Sequence, residues 1–218
     1  MIKTVIFDLD GLLIKSEIVS YELYCLLLKQ YGHDFELEDY SSHYSGGTAV
    51  GNMNAIIERF NLPVTCEEGL GFIREKEVEY VNKGIPLHEG ARELLDYLKE
   101  KHYTIILGSS SVRERALKTL NIHGIMNYFQ DYAFGPEVKR GKPYPDIFLK
   151  AIEKSNCKNE ECLILEDSEN GILAASRAGA KVICIPDLKK PSSEFANKCE
   201  CVLDSLKDVI DYLETNQG

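Results

Sequence analysis

Short apolar runs that stop at polar residues, with helical patterns between them, leave this chain few ways to fold. Residues 3–8 (KTVIFD), 103–108 (YTIILG), 161–166 (ECLILE) and 180–185 (AKVICI) read as strands, with shorter ones at 131–134 and 200–203. Apolar residues at helical spacing mark 89–102, where Ala91, Leu94, Leu95 and Leu98 share a face, and also 111–121, 145–155, 169–178 and 204–214. Strands alternating with helices predict a parallel sheet covered on both faces. The runs are apolar throughout rather than at every second residue, as a doubly covered sheet requires.

Residues 16–83 break the alternation. They carry helical patterns at 17–31, 36–44, 48–60 and 66–83 and no convincing strand, and Gly46-Gly47 and Leu62-Pro63 punctuate them. A chain of 218 residues suits one core domain plus an insertion. The expected architecture is a Rossmann-like three-layer α/β/α core formed by 1–15 and 84–218, with an all-helical cap inserted at 16–83. Its hinges fall near 13–17 and 82–87, where Gly84 and Pro86 sit.

Composition narrows the partners. The net charge of −10, with no basic stripe to relieve it, argues against nucleic acid and against an anionic membrane surface. No apolar stretch is long enough to span a bilayer, and the N-terminus lacks the charged start and long apolar run of a signal peptide. The cytoplasm is the expected compartment and a monomer the expected state. Seven scattered cysteines without paired CxxC motifs argue against a zinc site, and the lone Cys199-x-Cys201 reads as plain thiols near a strand. An acidic enzyme acting on anionic substrates needs a local positive device, which favours a metal ion.

Ligands of open parallel sheets bind beyond the carboxyl ends of the strands. The residues just past each strand are therefore informative. After the first come Asp8 and Asp10, at a spacing that points both side chains the same way in extended chain. They read either as a solvated pair of acids or as a divalent-cation ligand and carboxylate nucleophile (Asp8) beside a general acid and base (Asp10). After the second come Ser109, Ser110 and Ser111. Ser109 suits a phosphate seat at a helix N-terminus, and Ser111-Val112-Arg113-Glu114 fits a capping box that starts a helix at Ser111. Lys142, stiffened by Pro143 and Pro145, is either a surface lysine or a positioned ammonium. Glu166 and Asp167 end the fourth run and add negative charge to the same edge, which is unfavourable without a cation. Mg²⁺ suits such oxygen donors, with Asp167 the better direct ligand and Glu166 acting through water or positioning Lys142.

Taken together, DLDGLL, the Ser109 strand end, GKPYPD and LEDSENGI resemble the motifs of the haloacid dehalogenase superfamily, over nearly the whole chain. The helical insertion resembles the branch with a small helical cap, which includes sugar-phosphate phosphatases and β-phosphoglucomutase. The resemblance implies an Mg²⁺-dependent phosphatase for a small phosphorylated metabolite, working through an aspartyl-phosphate on Asp8. It implies that Asp10 is the acid and base and gives its carbonyl to Mg²⁺. It further implies that Ser109, Ser110 and Lys142 hold the phosphoryl group, and that Asp167 completes the metal site with Glu166 in support. Specificity is expected from the cap, near Ser16 to Ser20 and at Ser45, Gly46 and Thr48. The cap loop HYSGGTAVGN carries no Lys or Arg, and Ser20 stands where the mutase has a hinge-region histidine; both count against a mutase. SSSVRERALKTLNI resembles mutase-like relatives and keeps that activity as the second reading. A receiver-type or sensor domain is a remote third, since it would be shorter or would not need Asp10. Arg113 is a further candidate for reaching the substrate, and Lys15 stands where an acidic or amide residue is common.

Overall fold

The computed structural model describes residues 1–216. In chain order the elements are β1 (Thr4–Phe7), α1 (Ser16–Lys29), α2 (Leu37–His43), α3 (Ala49–Phe60), α4 (Cys66–Lys83), α5 (Ala91–Glu100), β2 (Thr104–Ser109), α6 (Arg113–Ile122), β3 (Asp131–Phe134), α7 (Asp146–Ser155), β4 (Cys162–Glu166), α8 (Glu169–Arg177), β5 (Lys181–Cys184), α9 (Ser193–Ala196), β6 (Cys201–Val202) and α10 (Asp208–Thr215). The strands form one parallel sheet in the order β3-β2-β1-β4-β5-β6.

Both faces of the sheet are covered, and the strand residues divide between them. Val5, Phe7, Leu107 and Leu165 pack on one face against Leu94, Leu95 and Leu98 of α5, Leu120 of α6 and Leu213 of α10. Ile6, Ile106 and Ile164 face the other way, against Phe148 of α7 and Ile172 and Ala175 of α8. Phe7 pairs with Leu107 on one side and Leu165 on the other, so the sheet centre is three apolar residues wide. Full burial of such side chains contributes about 1.5–3 kcal/mol each, which makes β1 the best-anchored strand to carry a functional group.

Helices α1–α4 gather a separate core. Tyr24, Leu28, Phe35, Tyr40, Tyr44, Met53 and Ile56 bury one another. Phe35 meets Tyr40 edge-on, with centroids 6.2 Å apart. Local signals set these helices. Thr65 and Glu68 form a reciprocal capping box at the start of α4, and Thr48 accepts the Gly51 amide at the start of α3. The chain leaves β1 and returns to the sheet along adjacent paths. Ile14 bridges Leu87, the Lys15 amide donates to the Pro86 carbonyl (2.9 Å), and the His88 amide to the Leu13 carbonyl (2.9 Å).

Three expectations need correction. Ser111 does not cap a helix: α6 begins at Arg113 with Val112 extended, and the Ser111 hydroxyl donates to the Asp10 carboxylate (2.6 Å) and accepts from Arg115 Nη1 (2.8 Å) rather than from a helix amide. A charged donor takes the acceptor site that a capping amide would use. The closing helix starts at Asp208, where the Asp208 carboxylate takes the Ser205 amide and hydroxyl, rather than at 204. The short α9 carries no periodic signal in so few residues and was not anticipated.

Candidate active site

Strand order reverses between β1 and β4, and the polar strand ends converge on the carboxyl side of that junction. A cleft of about 350 Å³ opens there. Asp8, Asp10, Ser110, Lys142 and Asp167 line it from the sheet side, and Glu17, Gly46, Gly47 and Thr48 from α1 and the loop before α3.

Lys142 lies between two acids. Its ammonium donates to Asp8 Oδ1 (2.5 Å) and to Glu166 Oε1, and it stands over the Phe148 ring, 4.8 Å from the centroid. Burial alone would push this ammonium toward neutrality, but the Asp8 and Glu166 carboxylates more than reverse that and raise its pKa. Glu166 is wholly inaccessible. Its second oxygen accepts the Asp167 amide (3.1 Å), the Ser168 amide (3.2 Å) and the Ser168 hydroxyl (3.1 Å). With both oxygens engaged, Glu166 fits the positioning of Lys142 rather than direct ligation of a metal. Gly171 makes this possible: a Cβ there would collide with the Glu166 carboxylate.

The acids differ in proton affinity. Burial, with Glu166 and Asp10 nearby, pushes Asp8 up to about 7 although Lys142 pulls it down. Burial and the charges of Glu166, Asp8 and Glu17 push Asp167 well above the ordinary carboxylate range. Asp10 goes the other way: burial raises it, but Arg115, with the Ser111 hydroxyl, more than compensates and holds it low.

The residues present fit a hard divalent cation. The donors are carboxylate and carbonyl oxygens, as Mg²⁺ prefers, and the two raised acids are the ones a cation would relieve. Gly11 turns the chain after Asp10 at φ +80°, and the Asp167 carboxylate packs so closely on this turn that a Cβ would collide with its Oδ2. The backbone of the Asp10-Gly11 turn and the Asp167 side chain therefore border one space. Among the described residues, no three His, Cys, Asp or Glu side chains are gathered as a metal cage. The acids that crowd this edge are instead taken up, Asp10 by Arg115 and Glu166 by Lys142.

Several anticipated residues take other places. Ser109 is buried beneath the cleft floor, where its hydroxyl accepts the Ser111 amide (3.1 Å), and Ser110 reaches the cleft instead. Ser16 is buried at the start of α1, while its neighbour Glu17 lines the cleft. Ser45 borders an adjoining cavity of about 230 Å³ that shares Gly46, Gly47 and Asp167 with the main cleft. Arg113 turns away, stacking on Phe134 and lying 3.6 Å from Glu137. Lys15 is exposed on the connecting segment. The residue that sequence reading missed is Arg115, which contacts Asp10 directly. The one available signal was its place four residues after Ser111, one helical turn along.

Residues 5–185 match the family of haloacid dehalogenase-like hydrolases. The chain is 29% identical over 181 residues to a phosphorylated carbohydrates phosphatase of Thermotoga maritima, covering 83% of each. It is 31% identical over 211 residues to a probable pseudouridine-5'-phosphatase of Drosophila melanogaster, covering 93% of this chain and 89% of that one. Among solved structures, β-phosphoglucomutase from Clostridium difficile superposes with a TM-score of 0.78 at 26% identity, over 99% of this chain and 96% of that one.

Proposed function

The chain belongs to the haloacid dehalogenase-like hydrolase family, and from that premise we propose that it is an Mg²⁺-dependent phosphatase cleaving a small phosphate monoester through a phosphoryl group carried briefly on Asp8. The observation that carries this reading is the buried Lys142 ammonium held between Asp8 and Glu166 at the floor of the cleft. It neutralises the nucleophile and the incoming phosphate together, which is the chief demand of phosphoryl transfer.

Each residue has a part. Asp8 Oδ attacks phosphorus in line with the ester oxygen, and Asp10 gives that oxygen its proton, so the alcohol leaves. Asp10 then takes a proton from water as the water attacks phosphorus of the acyl phosphate, releasing inorganic phosphate and restoring Asp8. Lys142, and Ser110 at the cleft, hold the phosphoryl oxygens. The Asp8 and Asp167 carboxylates and the Asp10 carbonyl would hold Mg²⁺, which supplies charge neutralisation to those oxygens. Residues 16–83 act as a cap over the core of 1–15 and 84–218, and its closure excludes bulk water while the ester is cleaved. The protein works in the cytoplasm as a monomer.

The organic part of the substrate is neutral. The loop before α3 that lines the cleft brings Gly46, Gly47, Thr48 and Ala49, and Glu17 joins them from α1. Among these described lining residues none is a cation that would hold a second phosphate, which favours a phosphatase over a mutase. Asp8→Asn, assayed with p-nitrophenyl phosphate and Mg²⁺, is expected to abolish turnover, and an unchanged rate would remove Asp8 as nucleophile. A panel of phosphate monoesters then identifies the preferred alcohol.

A further inference from the structure

Arg115 is outside the strand-end residues assigned above, yet it ties the cleft residue Asp10 to Ser111 and Glu77. Its Nη1 donates to Asp10 Oδ2 (3.0 Å) and to the Ser111 hydroxyl (2.8 Å). Its Nη2 lies 2.8 Å from Asp10 Oδ1 and donates to Glu77 Oε1 (2.7 Å), which also accepts Nε (3.0 Å). The guanidinium thus holds Asp10 by a hydrogen bond to Oδ2 and an ion-pair contact to Oδ1, which is left without a hydrogen bond, and it grips Glu77 on the other side. The two partners belong to different parts of the chain. Asp10 follows β1, whereas Glu77 belongs to α4, the last helix of residues 16–83.

A guanidinium is a rigid planar fork, so its hydrogen bond to Oδ2, shared with the Ser111 hydroxyl, and its ion-pair contact with Oδ1 hold the carboxylate in one orientation and leave Oδ1 unbonded to face the ester. Asp10 has to present one oxygen to the ester oxygen, and a rotation of its carboxylate would spoil that approach even with the charge unchanged. Glu77 in turn fixes the fork. Without it, Arg115 would be free to swing on its long side chain. A displacement of α4 is therefore transmitted to Asp10 through two sets of hydrogen bonds.

We propose that Arg115, braced by Glu77, is a positioning residue that orients Asp10 for proton transfer and makes that orientation depend on where α4 sits. This rests on the phosphatase reading above. The test compares two aromatic esters of similar shape. Benzyl phosphate releases an alkoxide, which leaves only with a proton, whereas p-nitrophenyl phosphate releases a stable anion that needs little help. Arg115→Met is expected to lower kcat/KM about 100-fold for benzyl phosphate and less than about 5-fold for p-nitrophenyl phosphate. Arg115→Lys keeps the charge but not the fork and should recover only part of the loss. Glu77→Gln, at a partly exposed position, should show the same selectivity to a smaller degree, and it carries the comparison if Arg115→Met does not fold. Equal losses on both esters would reduce Arg115 to a structural role and overturn the proposal, as would no loss on either. Asp8→Asn separates the two levels: turnover that survives this change refutes the parent reading, whereas turnover lost in Asp8→Asn with no ester selectivity in the Arg115 and Glu77 variants refutes only this inference.

Discussion

Single residues here do work that composition hides. Gly171 sits inside α8, where alanine is ordinarily the better residue by up to about 1 kcal/mol. The Glu166 carboxylate occupies the space of its absent Cβ. Gly171→Ala is therefore expected to destabilise by about 1–3 kcal/mol in urea unfolding, and a stabilised variant would contradict the packing. Lys142→Met leaves Glu166 buried without its cation and should cost about 3–5 kcal/mol along with activity. The raised acids give a third test. In the metal-free fold Asp8 and Asp167 keep protons that the unfolded chain has already released, so they erode stability as pH rises toward and through about 7. Mg²⁺ binds the deprotonated acids, so its upward shift of Tm should be larger at about pH 8 than at about pH 5, measured against EDTA. Equal shifts would argue against these ligands. The convergence of Asp8, Asp10, Lys142 and Asp167 on one cleft was legible because the acids lie within three residues of a strand end and Lys142 immediately precedes Pro143-Tyr144-Pro145. Arg115 was not, since its acidic partners lie 105 and 38 residues away in sequence and its one local partner is Ser111.

Secondary structure was most legible where burial dictates sequence. The β1, β2, β4 and β5 runs are apolar because both sheet faces are covered, and the structure finds each within a residue or two of its expected place. The helices α1–α4 were equally plain, punctuated by Gly46-Gly47, Leu62-Pro63 and Gly84, and the structure adds Thr48 and Thr65 as the caps of α3 and α4. One failure came where a side chain had a better partner elsewhere: the Ser111 oxygen accepts from Arg115 rather than from a helix amide, and α6 starts at Arg113. Capping offers a further measurement. Thr65→Ala removes both the hydroxyl acceptor for the Glu68 amide and the donor to its carboxylate, and should lower stability by about 1 kcal/mol. The same change should leave kcat untouched, because Thr65 is remote from the cleft lining. A fall in kcat would mean that α4 is held by more than its own core.

Taken whole, the molecule joins a rigid sheet edge to a helical segment with its own aromatic core. The sheet side carries the residues proposed to handle the phosphoryl group, and the helical side is proposed to set which ester is accepted. The lining residues predict poor conversion of β-glucose 1-phosphate to glucose 6-phosphate, even when primed with glucose 1,6-bisphosphate, since the helical side supplies no cation among the described residues of the cleft. Efficient interconversion would overturn that expectation. The fold class was readable from alternation alone. The alcohol is not, because the lining of the cleft by Glu17, Thr48 and the loop before α3 depends on how the two parts meet rather than on any spacing in the sequence.

The paired segments at Leu13–Lys15 and Pro86–His88 carry an evolutionary consequence. Because the chain departs and comes home at one doorstep, the whole helical unit can be exchanged as a cassette, or grafted from a relative, while the sheet keeps its register. New substrates can thus be recruited over the same strand ends, provided that a partner for Arg115 in the place of Glu77 travels with the graft.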